Sequence, residues 1–243
     1  MFKIYRIFLS KIKNVIKKYL RKKLQYPTNV YQNVHTNIKI KDYHTGKFNF
    51  YNNKFCLNDL HLFRDTETTR LRKYFCSKYA ELAVKDNKIG SFLSIGISYG
   101  TTCKIITHLL DKQVKKIEYF LIDNYCENLR GERYNTNIKN VTKDLNKIKN
   151  FKFNFIIDLL NESSLRKVSN NLIFTHMNIG NFNVEFKYLP YIIKKTIPKG
   201  IIVIDNYGFW GSKNQKKFNK YILKNKNLFK IILPTCQCVL IKY

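Results

Sequence analysis

An α/β fold is predicted, with a largely parallel sheet covered on both faces, a C-terminal antiparallel strand pair, and an N-terminal helical and hairpin extension. Two observations carry the prediction. From residue 91 onward, short apolar runs alternate with helical segments, the order of strands joined by crossovers in a parallel sheet. The last two runs are linked by too few residues for a crossover, so they must pair antiparallel. A chain of 243 residues holds one sizeable domain plus an appendage. The expected division is an extension over residues 1–60 and a domain over residues 61–243.

The elements follow in order. "MFKIYRIFLSKIKNVIKKYLRKK" opens the chain, with Tyr5, Phe8, Ile12, Val15, Ile16, Tyr19 and Leu20 at steps of three and four among lysines and arginines. That pattern is a basic amphipathic helix. Its apolar face packs on its own domain, on a second copy of the chain in a homo-oligomer, or on an anionic membrane surface. Peripheral membrane contact through residues 1–24 is the expectation kept for test. Pro27 ends the segment, and "TNIKIKDYHTGKFNFYNN" alternates around His44-Thr45-Gly46 as a small hairpin. "DTETTRLRKYFCSKYAELAVKD" reads as a helix capped by threonine or aspartate. The strand runs are "SFLSIGIS", "EYFLID", "FKFNFIID", "NLIFTHMNI" and "GIIVIDN". Between them lie "TTCKIITHLLDK", "ENLRGERYNTNIKNVTKDLNKI", "ESSLRKVSN" and "EFKYLPYIIKKTI" as helices or loops. A helix "KNQKKFNKYILKN" and the final runs "LFKIILPT" and "CVLIKY" complete the chain.

Composition bounds the partners. The 45 basic and 16 acidic residues give a net charge of +29, which draws the surface to polyanions and anionic head groups. Six cysteines, at 56, 76, 103, 126, 236 and 238, show no Cys-x-x-Cys pair, so free thiols in a reducing cytoplasm are expected in place of a structural zinc. No run approaches the roughly 18 apolar residues that a spanning helix needs.

The segment "GISYG", residues 96–100, permits two sharp readings. As a nucleophile elbow it would make Ser98 the nucleophile. That hydrolase order needs a histidine after the acid, and the last histidine, His176, precedes Asp205. As a glycine turn, Gly96 and Gly100 let the backbone approach a ligand, with the next helix directing its first amides there. Asp123 ends the following strand, placed to accept hydrogen bonds from ribose hydroxyls. Asp158 and Glu162 follow the third strand, within range of an adenine amino group.

Taken in order, "FLSIGISYGTTCKII", "YFLID", "HMNIGNF", "KGIIVIDNYGFWG" and "LPTCQCVLIKY" resemble the macrocin O-methyltransferase (TylF-type) family. The likeness covers roughly residues 60–243. It implies a Rossmann-like class I methyltransferase sheet, S-adenosylmethionine held by Gly96, Ser98, Gly100, Asp123 and Asp158, and a sugar or glycan acceptor. It also implies a Mg²⁺ ion on Asp205, Asn206 and Asn178, with Asp205, Asn178 and His176 as the catalytic set. Oxygen ligands suit that ion, although two amides and one carboxylate predict weak binding. The chain departs from the family at Ser94, where an acid is usual. It departs again at Asn178 and Gly180, where Asp-x-Asp is usual and Asn181 is a second candidate, and at Cys236 and Cys238, where glycines are usual. An amide cannot serve as a base. Trp210 is a candidate to stack on a sugar ring. The alternatives are a binding module that has lost catalysis and a nucleic-acid methyltransferase. The second lacks the paired prolines of base-methylating enzymes in "DNYG", so nucleic acid is not expected as a partner.

Overall fold

Runs apolar at almost every position, such as "FLSI" and "IIVI", suit strands covered on both faces. The computed structural model describes residues 47–50, 53–56, 67–87, 89–124 and 138–243. The basic helix expected over residues 1–24 and the first half of the expected hairpin lie outside the described residues. Strands β1 (Lys47–Phe50) and β2 (Asn53–Cys56) form a two-stranded sheet. The run at residue 47 therefore pairs with the run after it. The chain divides between Phe48 and Asn49 into two units, and the second holds all that follows.

Helix α1 (Glu67–Asp86) leads into β3 (Ser91–Ile95), α2 (Thr101–Leu110) and β4 (Ile117–Asp123). Next come α3 (Ile138–Leu145), β5 (Phe151–Ile157), α4 (Glu162–Arg166), β6 (Leu172–Met177), α5 (Phe182–Lys195) and β7 (Thr196–Ile204). A 3₁₀ turn (Tyr207–Phe209), α6 (Gly211–Lys224), β8 (Leu228–Ile232) and β9 (Cys238–Lys242) end the chain. The seven-stranded sheet has the order β5-β4-β3-β6-β7-β9-β8. β9 pairs antiparallel with both neighbours, while β3, β4, β5, β6 and β7 pair parallel.

Alternating side chains build a core on each face. Leu93 and Ile95 join Phe182, Leu189, Ile192 and Phe218 under α5 and α6. Phe92 joins Cys76, Ala80, Ile106, Leu110 and Leu145 under α1, α2 and α3. Central strands β3 and β6 are buried throughout, and edge strands β5 and β8 only in part. The strand order reverses between β3 and β6, and in open α/β sheets the crevice beyond the strand ends at such a point receives ligands. Among the described residues no helix is long and apolar enough to cross a membrane.

Candidate active site

Ile122, Ile95, Met177 and Ile204 form one register row across β4, β3, β6 and β7. One step beyond it stand Asp123, Gly96, Asn178 and Asp205. Backbone bonds keep the row even: Gly96 N donates to Ile122 O (3.0 Å), Asn178 N to Ile95 O (2.9 Å), and Asp205 N to Met177 O (2.9 Å). At about 4.8 Å per strand the row spans roughly 14 Å.

The glycine turn follows β3. Gly96 has φ 77°, and a Cβ there would lie 2.2 Å from Asn178 O, so both conformation and space demand glycine. Ser98, exposed, also has a left-handed φ, 51°, and Gly100 ends the turn as the N-cap of α2 with no side-chain cap bond. Asp123 Oδ2 accepts the amides of Ile97 (2.6 Å) and Ser98 (2.8 Å), tying the β4 tip to the turn. Ile157 pairs with Asp123 and is 62% exposed, while Leu159 and Tyr99 are 61% and 48% exposed. Exposed apolar side chains therefore stand at the end of β5 and just beyond the ends of β3 and β5. Asp158 Oδ1 accepts its neighbour Leu159 N at 2.7 Å. Ser94 forms a buried 2.7 Å hydroxyl pair with Tyr119, which gives each group a partner.

The other half of the row is built around two buried carboxylates. Glu185, on α5, is 1% exposed; Oε1 accepts the amides of Ile179 (2.8 Å) and Gly180 (3.1 Å), and Oε2 accepts the Trp210 indole (3.1 Å). Burial pushes its pKa up, against the pull of these donors. Asn206 Nδ2 lies 3.5 Å from Glu185 Oε1 and donates to Asn178 Oδ1 at 3.0 Å. The acceptor-only carboxylate fixes that amide's orientation. Asn181 is the N-cap of α5, its side chain accepting from Asn183 N and Val184 N.

Asp205 is 7% exposed. Its Oδ1 accepts Gln237 Nε2 at 2.6 Å and faces His176 Nε2 at 3.3 Å, a contact without hydrogen-bond geometry. Its Oδ2 pairs with an Arg72 terminal nitrogen at 3.3 Å, and the same nitrogen donates to the Asp205 carbonyl. Burial would raise the Asp205 pKa, but His176, Arg72 and Gln237 together hold it below the usual carboxylate range. Lys73, next along α1, is lowered to about 8 by desolvation, with Asp205 pulling it back up.

The predicted site residues thus gather at one sheet edge, in other roles than some expected. His176, 2% exposed, faces Asp205 from within the sheet. Trp210, 7% exposed, packs edge-on against Phe182, Tyr207 and Phe218, so its ring belongs to the core and not to a sugar. Phe209, 55% exposed, is the aromatic at this tip, and the Arg72 guanidinium lies 5.5 Å from its ring centre. Arg72, Glu185 and Gln237 are partners that the sequence reading lacked.

The residues do not fit a Mg²⁺ ion. Asp205 already meets a cation on one oxygen and an amide donor on the other, and Asn178 Oδ1 is engaged by Asn206. Two unit charges about 4 Å apart interact by roughly 4 kcal/mol at an effective dielectric of ~20, and a dication beside Arg72 would double that repulsion. Among the described residues no three His, Cys, Asp or Glu side chains are grouped to hold a metal.

No family model matches the sequence, and no curated relative does. Solved structures do match. CalS11, a calicheamicin methyltransferase, is 11% identical with a TM-score of 0.59, over 92% of this chain and 91% of that one. NovP, an O-methyltransferase, is 12% identical with a TM-score of 0.54, over 70% of this chain and 79% of that one. CurJ, a carbon methyltransferase, is 15% identical with a TM-score of 0.50, over 77% of this chain and 59% of that one. At these identities the likeness is one of fold, and it does not single out the TylF-type family. The chain has the fold of class I S-adenosylmethionine-dependent methyltransferases.

Proposed function

We propose that the chain binds S-adenosylmethionine at the switch point and methylates a hydroxyl of a sugar, in a glycan or a glycosylated small molecule. The observation that carries the reading is the single row of strand tips, Asp123, Gly96, Asn178 and Asp205. The left-handed turn at Gly96, the carboxylate of Asp123 and the exposed side chains of Tyr99, Ile157 and Leu159 suit a nucleoside. CalS11 is a TDP-rhamnose 3′-O-methyltransferase, which supports a sugar acceptor here by analogy of fold.

When bound, S-adenosylmethionine would supply an electrophilic sulfonium methyl, which an aligned acceptor oxygen would take by in-line attack as the C–S bond breaks and S-adenosylhomocysteine leaves. The chain's own residues do the positioning. Gly96 and Asp123 hold the nucleoside side. Asn178 and Asn206 present amide groups on the acceptor side, and exposed Phe209 gives a ring face for a sugar. Buried Asp205 and His176 keep the β6 and β7 tips in place. The acceptor proton leaves to water in this account, and alignment supplies the acceleration.

The test is incubation with S-adenosylmethionine and a panel of free, nucleotide-linked and glycan-bound sugars. The expected result is a mass gain of one methyl on one acceptor, absent without the cofactor. A second reading, a binding module without turnover, draws on the engagement of both Asp205 oxygens and the Asn178–Asn206 pair. It predicts cofactor binding with no methylated sugar from the whole panel.

A further inference from the structure

Arg72 crosses from α1 to the tip of β7 and meets Asp205 twice with one terminal nitrogen, at the side-chain Oδ2 and at the backbone carbonyl. Those are the oxygens that a cation seated at this strand end would claim. The guanidinium is backed by the Phe209 ring, and only 17% of the Arg72 side chain is exposed. Gln237 Nε2 occupies Oδ1 and also donates to Arg72 O at 3.1 Å, so α1, β7 and the loop before β9 close around one carboxylate. The dipeptide Asp205-Asn206 keeps the outline of a metal site, while both carboxylate oxygens of Asp205 are engaged and Asn206 spends its Nδ2 on Asn178 and Glu185.

We infer that the Arg72 guanidinium is the resident cation of this site, a positioning residue acting through Asp205, and that methyl transfer by this chain uses no divalent metal. A planar guanidinium is charged at every working pH and cannot be removed by a chelator. It neutralises the buried carboxylate and fixes the β7 tip, but it contributes no open coordination position to an acceptor hydroxyl. The acceptor is therefore oriented by amides and by Phe209, through contacts that a metal does not mediate. The inference rests on the proposed function for the word acceptor; the cation assignment rests on Arg72 and Asp205 alone.

The test uses the full chain dialysed against EDTA, with Mn²⁺ as a paramagnetic probe in the presence of S-adenosylhomocysteine. The expected result is no Mn²⁺ site tighter than about 1 mM. A tighter site that Asp205→Asn removes would overturn the inference. A second arm follows the Asp205 carboxyl by ¹³C NMR across pH. In the wild type it titrates below the ordinary range, and in Arg72→Met it should move up, because burial then acts with less opposition while His176 and Gln237 remain. An unchanged titration would also overturn the assignment. If Arg72→Met fails to fold, Arg72→Lys tests the same point and must keep the carboxyl low. Loss of S-adenosylhomocysteine binding in the same sample counts against the methyltransferase reading, and the Mn²⁺ and carboxyl arms judge Arg72 separately.

Discussion

Asp205 and Glu185 are both buried carboxylates, yet their surroundings move them in opposite directions. Asp205 is held low, so its contribution to stability is present above the ordinary aspartate range and is lost as pH falls through the depressed folded value. Asp205→Asn should cost roughly 3 kcal/mol at neutral pH, because it strands Arg72 in a largely buried position. Urea denaturation should show the gap between variant and wild type shrinking in acid. Glu185 is raised, so the wild type loses stability as pH climbs from the ordinary glutamate range through the folded value. Glu185→Gln sets an amide against the Trp210 N–H, at a cost of about 1–3 kcal/mol. That cost should be largest near pH 4 and smaller at pH 7. Trp210 is the single tryptophan, so its emission reports on the same contact. Phe209→Ala removes an exposed ring, and the expected outcome is a raised KM for the sugar with unchanged cofactor affinity.

At the scale of elements, the glycine turn and the β7 tip differ in how much they tolerate. Gly96→Ala meets the backbone carbonyl of Asn178, just past β6, and a left-handed φ at once. The variant should lose at least about 3 kcal/mol of stability, beyond what surface changes cost, and cofactor affinity with it. Gly211 has a similar φ, 73°, but an added Cβ meets nothing within 4 Å, so Gly211→Ala should cost only about 1 kcal/mol. Thermal unfolding of the pair separates a crowded glycine from a merely left-handed one. Element positions were legible because short, nearly continuous apolar runs and segments of period 3.6 alternate after residue 91. Gly96 and Asp123 were legible because both directly follow strand-like runs. Glu185 was half legible, lying on the buried stripe of Phe182, Leu189 and Ile192, where an acid signals a partner. Arg72 was not legible at all. It is one of 45 basic residues, and its partner Asp205 lies 133 positions away. Trp210 misled because glycine neighbours suggest an open loop, whereas its ring fills the space between Phe182 and Phe218.

Across the whole molecule, an ordered sheet with a reversal between β3 and β6 brings together residues that are scattered along the chain. The register row ties residues 96, 123, 178 and 205 to one edge, whatever the acceptor proves to be. The most direct measurement is a calorimetric titration of S-adenosylhomocysteine into the wild type and into Asp123→Asn. The account predicts saturable one-to-one binding that weakens by at least about tenfold in the variant, or 1.4 kcal/mol. Equal affinities, or no binding by the wild type, would contradict it.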